Sequence, residues 1–326
     1  MRKGFLNLVM LVVVAASVMA WLFFAPLTPP PAKAVLLHPG FSQRRIASEL
    51  QAAGVIRSKI AFLLWEYLQT GRTLKAGEYL FDKPASMVEV YDRIVRGDIY
   101  FHSVTIPEGY TMFDVAQAIE LSGLGSSADF LEVARKRTDL IADLAPEAKS
   151  LEGYLFPETY QFTRTQSLAD MAGMMVRHFR QVAHQVGLTG DVQRTVTMAS
   201  IVEKETAAPE ERPKVASVYF NRLKHNIGLD ADPSVIYAEL LSGKYQGALH
   251  HEDMRFDSPY NTYRYAGLPP GPIANPGRSA LEAAMHPAQT DALYFVSDGN
   301  GHHRFARTLE EHNQNVEAYR RAVGRK

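Results

Sequence analysis

The residues best suited to chemistry in this sequence lie in one apolar run that ends in two glutamates. Residues 198–206 read Met-Ala-Ser-Ile-Val-Glu-Lys-Glu-Thr, which places Glu203 and Glu205 near the end of a predicted helix. A carboxyl group against an apolar wall has a raised pKa and suits a general acid. The two glutamates continue different faces of the helix, so helical spacing does not choose between them. The structural alternative is a solvated helix end that carries both.

A second stretch has the residue types that recognise sugars. Residues 258–263 read Ser-Pro-Tyr-Asn-Thr-Tyr, and residues 267–277 hold seven Gly or Pro in eleven positions. Tyr260 and Tyr263 offer flat faces for stacking, and the amide of Asn261 can donate to and accept from an acetamido group or hydroxyls. Proline stiffens such a loop by fixing φ. A packed structural loop explains the same residues equally well.

Composition excludes several classes of protein. The 326 residues include 35 Lys+Arg and 35 Asp+Glu, a balance that argues against a nucleic-acid partner, which would require a basic surface. The chain contains no cysteine, which excludes disulfides, thiolate zinc sites and cysteine nucleophiles. The adjacent pairs His250-His251 and His302-His303 would point to opposite faces of a strand, so we expect neither a metal site nor a cofactor.

The N-terminus predicts a membrane anchor. Residues 5–25 are almost wholly apolar and are long enough to cross a bilayer core of about 30 Å. Arg2 and Lys3 place residues 1–4 in the cytoplasm and the rest of the chain outside. Residues 26–33, rich in proline, predict a stiff linker. The alternative is a cleaved signal peptide, although the apolar run is longer than a typical one.

An internal repeat with a spacing of 69 residues follows. Residues 35–42 read Val-Leu-Leu-His-Pro-Gly-Phe-Ser and recur at 104–111 as Val-Thr-Ile-Pro-Glu-Gly-Tyr-Thr. Each copy predicts a short strand, a glycine turn, a Ser or Thr cap and an amphipathic helix, with Ser58 and Ser127 preceding second helices. We therefore predict two related α/β units, over residues 34–103 and 104–149. They either position another part of the protein or bind carbohydrate.

From residue 150 to residue 326 the sequence predicts a mainly helical domain with a few strands. Its helices are expected at 168–186, 191–206 and 212–224, and its strands at 292–296 and 304–306. The whole chain is thus predicted to be α+β, with the catalytic domain last.

Several motifs, taken in order, resemble the endolytic murein transglycosylases of the MltG (YceG-like) family. They are Glu-Gly-Tyr-Leu-Phe-Pro-Glu-Thr-Tyr from residue 152, the run that ends in the two glutamates, Asp-Pro-Ser-Val-Ile-Tyr from residue 232, and the two loop motifs. The resemblance covers nearly the whole chain. It implies an inner-membrane protein with an N-terminal transmembrane helix, small LysM-like units and a lysozyme-like catalytic domain on the periplasmic face.

The implied activity is cleavage of the MurNAc-β-1,4-GlcNAc bond within glycan strands, which gives 1,6-anhydro-MurNAc ends and terminates the elongation of nascent strands. The expected partners are peptidoglycan and its synthases. The family's catalytic glutamate aligns with Glu203, whose change to Gln would then abolish cleavage and leave the fold intact. Soluble lytic transglycosylases have a serine after this glutamate, where the present chain has Lys204.

Two alternatives remain at this stage. One is a hydrolytic muramidase that uses Glu203 with a second acid, Asp232 or Glu158, because ordinary glycosidases require two carboxylates. The other is a non-catalytic scaffold that binds peptidoglycan from the membrane. The products of murein digestion distinguish all three functions.

Overall fold

A computed structural model describes residues 2–29 and 33–324 of the protein. Within these residues the chain forms twelve α-helices and six strands, and the strands pair into three two-stranded sheets. This confirms the predicted α+β class. The chain divides into two compact units, one of Met1–Ser103 with Gln161–Ser167, the other of Val104–Tyr160 with Leu168–Lys326.

The first unit contains four helices and a two-stranded sheet. Its elements are α1 (Arg2–Phe24), β1 (Lys33–Leu37), α2 (Gln43–Ala52), α3 (Lys59–Leu68), β2 (Gly77–Phe81) and α4 (Met87–Arg96). The strands β1 and β2 are antiparallel, with Val35 opposite Tyr79. Leu37, Leu50, Phe62 and Tyr91 are fully buried and form the centre of the core.

The first helix is apolar and long enough to cross a membrane. None of its residues is buried, but Leu22 and Phe23 at its end pack against the core of the first unit. Beyond the helix, Leu27 pairs with Ala85 through backbone hydrogen bonds of 2.9 and 3.2 Å. The start of the predicted linker is therefore bound to the first unit, and residues 30–32 lie outside the described residues.

The second unit is mainly helical. Its elements are β3 (His102–Ile106, which begins in the first unit), α5 (Met112–Leu121), α6 (Ser127–Lys136), β4 (Glu158–Phe162, which ends in the first unit), α7 (Leu168–Val186), α8 (Val192–Glu205), α9 (Arg212–Lys224), α10 (Asp232–Ser242), α11 (Arg278–Met285), β5 (Tyr294–Ser297), β6 (His303–Ala306) and α12 (Leu309–Val323). The three predicted helices are confirmed, and their ends agree within one residue.

The internal repeat is also confirmed. In both copies a strand leads to a glycine with positive φ, at Gly40 and Gly109, and then to a ten-residue helix. Ser42 and Thr111 cap these helices by accepting a hydrogen bond from the backbone three residues later. The second helix of the later copy is capped by Ser126, one residue before the predicted Ser127.

The helix that carries the two glutamates runs through the core of the second unit. Asp191 caps α8 by accepting a hydrogen bond from the backbone N–H of Arg194 at 2.9 Å. The middle of the helix is fully buried and packs against the alanine-rich face of α11. The backbone becomes extended at Thr206, so the helix ends at Glu205. Both glutamates therefore lie in its last turn, in a rigid setting.

Candidate active site

Glu203 is held in a closed ion pair. One of its oxygens, Oε1, lies 2.5 Å from Nη2 of Arg212, and Oε2 accepts a hydrogen bond from the backbone N–H of Gly277 at 2.9 Å. Only 4% of the Glu203 side chain and 6% of the Arg212 side chain are exposed. This glutamate therefore has little room for a substrate beside it.

The surroundings of this pair stabilise charge on both partners. Arg212 also lies 3.4 Å from Glu108 and donates a hydrogen bond to Ser279. Burial raises the pKa of Glu203 above its ordinary value, although the Gly277 N–H and the Arg212 guanidinium act in the opposite direction. A neutral Glu203 would leave a buried guanidinium without its nearest counter-charge, which is costly. In this structure Glu203 is therefore the nearest counter-charge of the buried Arg212 guanidinium.

A turn from the second copy of the repeat packs against this pair. Lys204 donates to the carbonyl oxygen of Gly109 at 3.2 Å, and the backbone N–H of Gly109 donates to the carbonyl of Asn275 at 2.9 Å. Gly109 has a φ of 77°, and a Cβ there would lie 3.5 Å from the Cγ of Glu203. The turn thus closes over Glu203 and fixes Lys204, the residue in the place of the expected serine.

Glu205 faces a different environment, an open cleft of 460 Å³. The cleft is lined by residues of α9, α12, β5 and the loops before α10 and after it, among them Tyr219, Arg222, Asp230, Asp232, Tyr263, Tyr294 and His312. As whole residues Glu205 and Glu203 are both half-buried, and the Glu205 carboxyl itself is largely buried at the wall of this cleft.

The surroundings of Glu205 raise the pKa of its carboxyl. Burial raises its pKa to about 7, a hydrogen bond from the Tyr219 hydroxyl lowers the pKa, and the charge of Asp232 raises it. General acids are most effective when their pKa lies near the working pH. The sequence left open which glutamate meets a cleft, and the geometry favours Glu205. The assignment of Glu203 as the catalytic residue stays a prediction. Its contacts with Arg212 and Gly277 leave little space for a substrate.

The two carboxylates considered as a second acid lie in different places. Asp232 lines the cleft with Glu205, and its Oδ1 accepts a hydrogen bond from the Tyr263 hydroxyl at 2.6 Å. Glu158 is the exposed first residue of β4. Asp232 is therefore the acid positioned to act with Glu205.

The three residues predicted to contact sugars also differ in position. Tyr263 lines the cleft and is 41% exposed, so its ring is available for stacking. Tyr260 packs against Tyr237, with ring centroids 5.1 Å apart. Asn261 is fully buried: its amide nitrogen donates to the carbonyls of Met254 and Phe256 at 3.1 and 2.8 Å, and its Oδ1 accepts from the backbone of Tyr263 at 3.0 Å. A sugar-binding role for these residues remains a prediction.

We expect Asn261→Ala to destabilise the fold. The change removes three hydrogen bonds of the fully buried Asn261 side chain to half-buried backbone groups, and a hydrogen bond of this kind contributes about 0.5–1.5 kcal/mol. Thermal unfolding of the purified protein measures this loss. Unchanged stability with a reduced kcat would instead support the predicted contact with an acetamido group.

The Gly- and Pro-rich loop is packed into the core beside α8. The backbone N–H of Ile273 donates to the Ser200 hydroxyl at 3.0 Å, and Asn275 accepts from the backbone of Leu155 at 2.9 Å. Gly153 lies so close to Pro272 that a Cβ there would come within 2.5 Å of the ring. The loop therefore fixes Gly277 beside Glu203 and has a structural role.

Sequence reasoning missed several residues of the cleft, namely Tyr219, Arg222, Asp230, Tyr294 and His312. Tyr219 and Arg222 lie three positions apart on α9, which places them on one helix face. That spacing was visible in the sequence, but nothing in it showed that this face meets the end of α8. Their part in the site comes from tertiary packing.

Comparison with known proteins gives a consistent identity. The chain matches the YceG-like family over residues 35–318. It is 34% identical over 300 residues to the endolytic murein transglycosylase of Bacillus subtilis, covering 86% of this chain and 82% of that protein. It is 30% identical over 312 residues to the endolytic murein transglycosylase of Streptococcus pneumoniae D39, covering 85% of this chain and 56% of that protein.

A solved structure supports the same relationship. The crystal structure of a putative yceG-like protein from Listeria monocytogenes is 32% identical in sequence and superposes with a TM-score of 0.57. The match covers 87% of this chain and 98% of the Listeria chain. Sequence and structure agree, and the chain belongs to the YceG-like family.

Proposed function

We propose that this protein is an endolytic murein transglycosylase that cleaves MurNAc-β-1,4-GlcNAc bonds within peptidoglycan strands and leaves 1,6-anhydro-MurNAc ends. Family membership and the names of the relatives support this activity. What supports Glu205 as the acid is its position at the wall of an open cleft, where burial raises its pKa to about 7. The role proposed for the product is to end the elongation of nascent strands, in association with peptidoglycan synthases.

One carboxyl group is enough for this reaction. Protonated Glu205 donates its proton to the glycosidic oxygen as the C1–O bond to GlcNAc breaks, while the MurNAc acetamido group stabilises the positive charge at C1. The Glu205 carboxylate then takes the proton from the C6 hydroxyl, whose oxygen bonds to C1 and closes the anhydro ring. The acid is regenerated and no water is consumed. Tyr219 is placed to orient the carboxyl, and Tyr263 to stack against a sugar.

Cleavage is expected to slow as the pH rises through about 7. The first step requires the protonated form of Glu205, and this form is lost above its pKa of about 7. Two variants should move this limb of the pH profile in opposite directions. Asp232→Asn removes a negative charge that raises the pKa of Glu205, so the fall in rate should move to lower pH. Tyr219→Phe removes a hydrogen bond that lowers the pKa of Glu205, so the fall in rate should move to higher pH.

The rate of product release from defined glycan strands, measured at a series of pH values, checks both shifts. The Asn side chain can still accept the Tyr263 hydroxyl through its oxygen, so this contact is retained. A limb that stays in place in both variants would remove Glu205 as the titrating acid.

Mass spectrometry of digested murein tests the reaction itself. Anhydro ends are the expected product. Reducing ends would show a hydrolytic muramidase, an alternative favoured by one observation, the presence of Asp232 in the cleft of Glu205. No cleavage would leave the third function, a scaffold that binds peptidoglycan.

The membrane location is proposed on the first helix. Its apolar length suits one crossing of the inner membrane, with residues 1–4 in the cytoplasm and the catalytic part on the periplasmic face. The protein should then stay in the membrane after carbonate washing, and protease added outside should digest the chain beyond residue 33. A soluble form that begins near residue 21 would show a cleaved signal peptide instead.

We also propose the domain assignments implied by the family. The strand and two capped helices in each copy of the repeat are compatible with LysM-like units over residues 34–103 and 104–149. The many helices of residues 150–326 are compatible with a lysozyme-like domain. Glu152 accepts a hydrogen bond from the backbone of Met112 at 2.9 Å, so the proposed boundary at residue 150 divides residues that pack together.

A further inference from the structure

We infer that α3 lies in the surface of the membrane, with an apolar stripe of Ile60, Leu64, Tyr67 and Leu68 in contact with lipid. The membrane is thus contacted at two places, by α1 through its core and by α3 along its surface. This inference rests on the proposed anchoring of α1. It adds a second contact that anchoring alone does not require.

The stripe is an exposed apolar face on a short helix. Its four residues follow one another at positions i, i+4, i+7 and i+8, so they lie along one side of α3. Ile60 is 74% exposed, Tyr67 is 78% exposed, and the other two are also exposed. The opposite side buries Ala61 and Phe62 in the core of the first unit. Contiguous exposed apolar residues of this kind mark an interaction surface.

The end of α1 shows what covers this surface. The ring of Trp65 on α3 lies 5.3 Å from that of Phe23 and 6.0 Å from that of Phe24, in the last turn of α1. The last turn of α1 therefore contacts α3 at Trp65, the residue that follows Leu64 of the stripe. Any bilayer that surrounds α1 up to this turn extends sideways past α3.

The polar groups at this junction fit the boundary between lipid and water. The guanidinium of Arg57 lies 4.5 Å from the ring of Trp21 and donates to the carbonyls of Ala25 and Pro26 at 2.6 Å. Tryptophan is enriched at membrane interfaces, and long basic side chains extend their charge toward the headgroups. A helix with one apolar face and a polar surround suits the same depth.

The second copy of the repeat provides an internal comparison. Its helix α6 has the same length as α3, begins with the same serine cap and buries Phe130 as α3 buries Phe62. The four positions that correspond to the stripe, 68 residues later, are all exposed and are Ala128, Glu132, Arg135 and Lys136. This fold thus accepts one alanine and three charged residues at these positions. The fold of the repeat therefore does not require the apolar residues of α3, and a contact outside the repeat explains them.

The absence of cysteine from the chain makes a direct test possible. Single cysteines at positions 64 and 68 would carry a nitroxide spin label in the full-length protein, reconstituted in liposomes of phosphatidylglycerol and phosphatidylethanolamine. Matched labels at positions 132 and 136 on α6 serve as the aqueous control, and a label at Val12 within α1 serves as the lipid control. Collision with oxygen reports lipid, and collision with a water-soluble nickel chelate reports water.

The labels on α3 should collide with oxygen as the label at position 12 does, and should be protected from the nickel chelate. If the label at position 12 is in lipid and the labels on α3 are in water, the inference is overturned, whereas the proposed anchoring by α1 still holds. Protection of the α3 labels from both reagents would show contact with a second copy or another protein and would also overturn it. A label at position 12 in water would show that the proposed anchoring itself is wrong.

A variant taken from the second copy gives a further test. Leu64→Glu with Leu68→Lys installs the residues found at the equivalent positions of α6, so the fold should be retained. A label at position 67 should then lose its protection from the nickel chelate, while the label at position 12 stays in lipid. Continued protection at position 67 would show that the stripe does not depend on its apolar residues for contact with the membrane.

Discussion

Glu205→Gln is expected to abolish the formation of anhydro ends while the protein remains folded. The amide has nearly the shape of the acid and can still accept the hydrogen bond from Tyr219, but it cannot donate a proton to the leaving oxygen or take one from the C6 hydroxyl. Loss of a general acid costs about 10²–10⁴-fold, and this residue serves in two steps. Mass spectrometry of murein digested by the purified variant measures the loss.

The matched control is Glu203→Gln, two residues earlier on the same helix. If Glu205 is the acid, the Glu203→Gln protein that remains folded should still form anhydro ends. Full activity in Glu205→Gln, with none in folded Glu203→Gln, would return the catalytic role to Glu203 as the sequence first predicted.

Glu203→Gln is expected instead to reduce the stability of the second unit. It leaves the buried guanidinium of Arg212 without its closest counter-charge, which typically costs about 3–5 kcal/mol. The free energy of unfolding in urea, followed by circular dichroism, measures this change. The loss should be smaller in the double variant Glu203→Gln with Arg212→Met, because the unpaired charge is then removed as well.

The two single variants and the double variant form a cycle that isolates the interaction. Additive losses from Glu203→Gln and Arg212→Met would show that the ion pair contributes nothing of its own. Wild-type stability in Glu203→Gln would contradict the structural role that we assign to this glutamate.

The sequence by itself determined the local elements and the family. A residue spacing of 69 revealed the repeat because each copy carries its own turn glycine and helix cap, and these signals act over a few residues. The helix at 168–186 was predicted at the bounds that the structure shows, since its apolar residues recur with helical period. The same local signals left Glu203 and Glu205 open as the acid, and the family resemblance selected Glu203.

Only the tertiary structure determined the surroundings of these two glutamates. Both lie in the last turn of α8, and their pKa values and access depend on what other parts of the chain place beside them: Arg212 and Gly277 beside Glu203, Tyr219 and Asp232 beside Glu205. Asn261 shows the same limit, because an amide suits a backbone carbonyl as well as a sugar. Chemical type and spacing are properties of the sequence, whereas burial and partners arise from residues that are distant along the chain and meet only in the fold.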